Sequence, residues 1–470
     1  MEKIILLIVL FVLCCVVSFS QEIRWQNTIG GNNNDIITSI EQTADGGYIL
    51  GGYSESGISG DKTEGCVGSP DYWIVKTDAS GNIQWQNTIG GYSTDYLFST
   101  RQTADGGYIL GGYSGSPISG DKTELCIGGY DYWIVKTDSM GNIQWQNTIG
   151  GSSYDELYSI QQTSDMGYIL GGHSTSNSGG DKTENNNGVV DFWIVKTDSL
   201  GNIQWDNTIG GSSDDQLHSI QGTVDGGYIL GGSSYSDISG DKTENSNGSR
   251  DYWIVKTDSL GNIQWQNTIG GNNYDKLYSI QQTADGGYIL AGYSNSIISG
   301  DKTENSIGND YWIVKTDSLG IIQWQNTIGG SGWDEPHSIQ QTGDGGYILC
   351  GYSGSNISGD KTENCTGTWD FWIVKTDALG NIIWQNTIGG NNDDRSYSIR
   401  QTADGGYIVG GFSDSNISGD KTENSMGSLD YWIVKLTDNY NLITGKLFFD
   451  ANSNAMQDAG EPAVANKTVT

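Results

Sequence analysis

Trp333, Asp334, Glu335, His337 and Trp369 place two indole rings, two carboxylates and an imidazole in one short stretch of chain and the loop that follows it. Those groups suit carbohydrate recognition, in which a ring face lies on the apolar side of a sugar and polar groups take its hydroxyls. The same two tryptophans would also serve as half-buried anchors for their loops. A second set lies near the far end of the chain. Asp450, Asn452, Asn454, Met456, Asp458 and Glu461 fall at positions 1, 3, 5, 7, 9 and 12 of a loop, the ligand spacing of an EF-hand calcium site. Ala455 stands where the usual Gly would be, and a metal-free Asp-Asn turn is the competing reading.

A third acidic set recurs along the chain. In one copy it comprises Asp155, Asp181, Glu184, Asn185 and Asp191. Such carboxylates and amides could hold calcium in every copy, but their spacing fits no specific motif and Asp and Asn are common in turns. His173, His218 and His337 read as three different repeat positions without a recurrent partner, so neither a Ser-His-Asp arrangement nor a histidine metal site is visible. A carboxylate pair for glycoside hydrolysis cannot be picked out where acids are so frequent.

The elements that must position these groups are repeated. The phrase WQNTIGG, written WDNTIGG once, begins at Trp25, Trp85, Trp145, Trp205, Trp265, Trp324 and Trp384. A fixed period of about 60 residues means stacked supersecondary units. Each unit reads as four short strands; in the third they are IQWQNTI (143–149), LYSIQQT (157–163), GYILGGHS (167–174) and FWIVKTD (192–198). ADGG and DSLGN are tight turns between them, Asp-Gly being the pair that a two-residue hairpin prefers. YIL and YWIV are apolar on both faces, so both faces need covering.

Four-stranded sheets packed around an axis meet that need, and the expected fold is an all-β, seven-bladed β-propeller. The chain opens on a lone WQNTI strand (23–29) and its last unit ends on YWIVKLTD (431–438) with no such strand after it. The N-terminal strand is therefore expected to complete the seventh blade and close the ring. Seven tryptophans on the WQNTI strands and seven on the YWIV strands read as packing between blades; only Trp333 and Trp369 of the 16 fall outside the pattern. The ADGG and DSLGN turns lie on one face of the ring, and the longer, variable loops on the other, where a binding surface is expected.

Three domains follow: a secretory signal peptide at 1–20, the propeller at 21–438, and a segment at 439–470 that departs from the repeat. The leader has Lys3, an apolar run from Ile4 to Val17 and a small-residue end. Cys15 follows Cys14 rather than the small residue that lipidation favours, and no other apolar run approaches a membrane span. Outside the cell disulfides are permitted, and Cys66 with Cys126 and Cys350 with Cys365 are the preferred pairs of three possible pairings. The net charge of −33 comes mostly from the repeat; it argues against nucleic acid as a partner and suits cations.

FFDANSNAMQDAGEPAV resembles the start of the B-type immunoglobulin-like domain of serine-aspartate repeat adhesins. That resemblance implies a calcium-bound β-sandwich, of which about thirty residues are present. The repeats, with DYWIVKTDSLGNIQWQNTIGG and DGGYILGGYS, resemble large secreted β-propeller proteins of bacteria that use type IX secretion, which implies export and residence at the cell surface or beyond it. The D-x-x-G-x-x-x-W phrase (138–145) also resembles quinoprotein propellers and bulb-type lectins, but is too short to import a cofactor or a sugar site. The expected function is a secreted or cell-surface binding or adhesion module without catalytic activity, its partner an extracellular glycan or surface protein met on the variable face. The alternatives are a carbohydrate-active enzyme of the endoglucanase kind, or a passive spacer. Nearly interchangeable blades weigh against a single asymmetric catalytic centre.

Overall fold

The computed structural model describes residues 21–437. The signal peptide at 1–20 and the segment at 439–470, with the calcium set Asp450, Asn452, Asn454, Met456, Asp458 and Glu461, lie outside the described residues. The described chain is all-β: 28 strands form seven four-stranded antiparallel sheets. Six blades are continuous in sequence, at 35–89, 95–149, 155–209, 215–269, 275–328 and 334–388. The seventh takes three strands from 394–436, and Ile23–Ile29 pairs as its fourth, antiparallel to Asp430–Leu436. The ring closes as the strand count predicts.

Each blade begins at the axis. Its first strand, such as Asp155–Gln162, touches the first strands of both neighbouring blades, and the WQNTI strand is outermost. The YWIV strand lies third, buried on both faces along all its residues. Its tryptophans, Trp73 through Trp432, are among the largest fully buried side chains. They bind blade to blade. Tyr72 packs on Trp133 of the next blade at 4.8 Å between ring centroids and donates its hydroxyl to the Trp133 carbonyl at 3.0 Å. Tyr431 does the same to the Trp73 carbonyl across the closing joint, at 3.0 Å.

The two hairpins per blade need a residue with positive φ. Gly46 in ADGG has φ 84°, which a side chain disfavours, and only in blade three does Met166 take that place, at φ 69°. The hairpin acid does further work: Asp45 holds the buried Lys76 ammonium at 3.0 Å, and the pair recurs in every blade.

All four described cysteines are free, which corrects the expected pairing. Cys66, Cys126 and Cys365 hold one repeat position, where each thiol faces the carbonyl that ends its blade's second strand; Cys365 Sγ lies 3.0 Å from the Ser353 carbonyl. Ser306 makes the same contact at 2.8 Å with its hydroxyl, so the thiol stands in for a serine. Cys350 is different. It replaces a glycine of the second strand, where an added Cβ meets the next blade: at Gly171 it would come within 3.0 Å of Leu217 Cδ2. In front of Cys350 the residue at Leu217's repeat position is Ser396, and in front of Ala291 it is Pro336. Volume lost on one blade is filled from the other. Gly171→Cys is therefore expected to cost about 1–3 kcal/mol by overpacking, and Leu217→Ser about 2–5 kcal/mol by leaving a cavity. The double variant should cost clearly less than their sum in denaturant melts, whereas strict additivity would refute the exchange.

Candidate functional site

The first strands line a central channel. Their fourth residues form a belt around it: Thr38, Phe98, Tyr158, His218, Tyr278, His337 and Tyr397. Consecutive rings touch. Phe98 lies 4.7 Å from Tyr158, which lies 5.4 Å from His218, and the series runs on through Tyr278 and His337 to Tyr397 at 5.4, 4.5 and 4.6 Å. The belt borders a cavity of about 350 Å³ on the side of the variable loops, a size suited to a small ligand.

This placement corrects the reading of the histidines. His218 and His337 hold the same repeat position, on blades four and six. His173 and His337 moreover share a type of partner: each lies beside a glutamate at the second position of a first strand, His173 Nε2 3.4 Å from Glu156 and His337 Nε2 3.5 Å from Glu335. The relation was hidden because His173 sits on a second strand and reaches the glutamate across the sheet, where the two residues are paired in register.

At the variable-face mouth four of the five expected site residues come together. Trp333 Nε1 donates to Glu335 Oε2 at 2.8 Å, and Tyr278 of blade five donates its hydroxyl to the other carboxylate oxygen. His337 stacks on Tyr352 at 5.4 Å, and Tyr352 meets Trp369 edge-on at 5.2 Å. Trp333 and Trp369 stand T-shaped at 6.3 Å. Asp334 is not part of this group. It is fully buried, accepts from the Gly330 amide at 2.7 Å and from Ser355 Oγ at 2.9 Å, and so holds the loop as its equivalents do in the other blades.

Residues that the sequence did not single out complete the mouth. Arg395 of blade seven packs its guanidinium against Tyr352 at 5.0 Å and Trp369 at 5.3 Å, in cation–π contact. Tyr293 of blade five lies 6.1 Å from Trp333 and 6.0 Å from Tyr274. The result is an aromatic arc across blades five to seven. Trp333 is its exposed member, with 45% of its surface accessible.

Burial brings the His337 imidazole down to about 4 although Glu335 pulls the other way, so it is neutral at neutral pH. A neutral imidazole beside a carboxylate resembles a general-base pair. Here both carboxylate oxygens already accept hydrogen bonds, from Trp333 and Tyr278, which hold the Glu335 side chain in place.

The acids of the variable loops are likewise engaged. Asp181 accepts from the Gly150 amide at 3.1 Å, Glu184 from the Thr208 amide at 2.9 Å, and Asp191 from the Asn187 amide at 2.5 Å, while Asn185 Oδ1 accepts from the Ser178 amide at 3.0 Å. The lysine of GDKTE lies over the buried tryptophan of its blade, as Lys62 does over Trp73 at 4.8 Å. Among the described residues no group of three or more acidic, histidine or cysteine side chains is arranged to hold a metal ion.

No protein-family model and no curated protein sequence matches the chain. Solved structures do. The WD40 domain of Pan2 from Neurospora crassa is 11% identical, with 87% of this chain and 95% of that one covered and a TM-score of 0.46. A protein of unknown function from Dyadobacter fermentans is 11% identical, covering 88% and 98% at a TM-score of 0.44. Hydrazine synthase of Kuenenia stuttgartiensis is 10% identical, covering 80% and 93% at 0.46. The chain is a seven-bladed β-propeller. No helix among the described residues is long and apolar enough to cross a membrane.

Proposed function

We propose that this chain is an extracellular binding or adhesion module, and that the mouth formed by Trp333, Trp369, Glu335 and Arg395 takes a glycan. The observation that carries the reading is the state of Trp333. Its indole is nearly half exposed, yet its N–H is fixed to a carboxylate that is itself almost fully buried. A large ring held rigidly at a channel mouth loses little freedom on binding, and its open face offers apolar area for a sugar ring. Propellers commonly serve as binding or scaffold modules, and the function lies in the site rather than the fold. The signal-peptide reading of residues 1–20 supports action outside the cell, and the resemblance at 439–470 supports calcium on the acidic loop from Asp450 to Glu461.

A glycan and polysaccharide binding screen on the whole chain, run in calcium and again in chelator, tests this. Trp333→Ala is expected to weaken binding by roughly tenfold or more, the loss for one aromatic contact, with a modest drop in melting temperature from the hydrogen bond that the buried Glu335 loses. Binding that survives in Trp333→Ala and Trp369→Ala would remove the sugar site from this mouth. Binding of a surface protein with no glycan signal would leave an adhesion module of another kind.

A further inference from the structure

At the opposite end of the channel the repeat builds a circuit and then breaks it twice. The seventh residue of each first strand faces the axis. Where it is glutamine, its Oε1 accepts from a backbone amide of the next blade: Gln161 from Gly222 at 2.8 Å, Gln221 from Gln282 at 2.7 Å, Gln281 from Gln341 at 2.7 Å and Gln340 from Gln401 at 2.8 Å. In blade one Glu41 does the same for the Gln102 amide at 2.9 Å. Committing each Oε1 in this way leaves the carboxamide NH₂ as the group turned to the cavity.

Blades two and seven carry Arg101 and Arg400 instead. An arginine has no acceptor to offer, so the equivalent amides of Gln162 and Gln42 receive no side-chain oxygen from these positions. Arg400 spends one nitrogen on Ser338 Oγ at 3.2 Å and the Ile399 carbonyl at 2.7 Å. The Arg101 guanidinium donates no hydrogen bond among the described residues. Both guanidinium groups line a cavity of about 440 Å³ together with the four glutamines, and Glu41 is the one carboxylate on its wall.

We infer that this end of the channel is a binding site for a small oxyanion, with Arg101 and Arg400 as its charged donors and the glutamine carboxamides as neutral ones. Three observations meet there. The wall presents N–H donors whose paired acceptors are already used. It carries two like charges against one opposite charge, in a chain whose net charge is −33. These charges sit where the repeat would otherwise have placed a structural glutamine, so the departure weakens the scaffold locally and needs another reason. Guanidinium groups suit planar and tetrahedral oxyanions because they offer paired N–H donors. The cavity is larger than a single phosphate and admits a polycarboxylate or a phosphorylated small molecule.

Calorimetric titration of the whole chain with inorganic phosphate, sulfate and citrate tests the site and separates the phosphate-like from the polycarboxylate ligand. At least one should bind in the micromolar to low-millimolar range, more weakly as sodium chloride is raised. Arg101→Gln and Arg400→Gln should each weaken that binding roughly tenfold or more, the cost of a charged hydrogen bond. The melting temperature should hold or rise, because glutamine restores the inter-blade hydrogen bond. The stability readout therefore shows that the variants are folded. No heat with any of the three anions, or variants that bind as the parent does, would overturn the inference. Arg101 and Arg400 also border the belt cavity, so Trp333→Ala is titrated alongside, and anion binding that it leaves unchanged separates this site from the Trp333 mouth.

Discussion

A chain lacking residues 21–29 is expected to lose its cooperative melting transition and to aggregate at neutral pH. The reason lies in what that strand covers. Ile23–Ile29 is the outermost strand of the seventh blade, and without it Asp430–Leu436 becomes a sheet edge. The new edge would be long, flat and apolar, carrying Tyr431, Trp432, Ile433 and Val434, the kind of edge that natural sheets avoid. Several side-chain links go with it, three of them around the third strand of the blade and the loop before it. Trp432 Nε1 loses Gln26 Oε1 at 3.0 Å, the buried Lys421 loses Thr28 Oγ1 at 2.8 Å, and Glu423 loses the Thr28 amide at 2.6 Å. Lys421 would then be a buried cation short of a hydrogen-bond acceptor, at a cost of about 1–3 kcal/mol in addition to the lost packing. A synthetic IRWQNTI peptide added in trans should restore the transition by strand addition. Size-exclusion chromatography and circular dichroism with and without peptide decide it. A truncated chain that stays monomeric and melts as the parent does would show that the joint is not what closes the ring.

The features legible from residues alone were those set by local chemistry and by counting. Asp-Gly pairs declared the hairpins, doubly apolar YWIV strands required cover on both faces, and the unpaired WQNTI strand at the start matched a missing one at the end. Departures from the repeat were legible too: Trp333, Glu335, His337 and Trp369 do share one mouth. Asp334 was misplaced because its neighbours drew attention from its own position, which is the buried Asp of every blade. The tyrosines that complete the mouth stayed hidden because they sit in register. Tyr352 and Tyr278 occupy positions that are aromatic in most blades, and only the ring geometry turns them toward Glu335. The cysteine pairing failed for a related reason. Equivalent positions in adjacent blades do not place two thiols face to face, and a thiol near a carbonyl does a serine's work.

Lowering the pH from neutral toward about 5 is expected to stabilise the ring, raising its melting temperature by several degrees. The source is a carboxyl at each inter-blade joint. Burial, opposed by backbone hydrogen bonds and reinforced by an aspartate of a neighbouring blade, lifts Asp71, Asp131, Asp191, Asp310, Asp394 and Asp430 to about 6 and Asp251 to about 7. On most of them one oxygen is buried without a hydrogen-bond partner, so taking up a proton removes a charge that the hydrogen bonds to the other oxygen only partly support. An unfolded aspartate titrates near 3.8, so between about 4 and 6 the folded chain binds protons that the unfolded chain does not, and stability must rise as pH falls. His218 and His337 act in the opposite sense, since burial keeps them neutral in the fold while the unfolded imidazole gains a proton below about 6.5. Two imidazoles oppose seven carboxyls. The buried lysines stay out of this window, Lys302 for instance being brought down by burial only to about 8. Further down the sign reverses. Hairpin acids such as Asp45, lowered to about 2 because Thr43 and Lys76 outweigh burial, lose their support as pH drops below about 4. The stability optimum should therefore lie in mild acid, between the two sets. Scanning calorimetry across this range, with Asp251→Asn flattening the rise, checks the assignment; a midpoint that falls steadily from neutral pH to 5 would refute it.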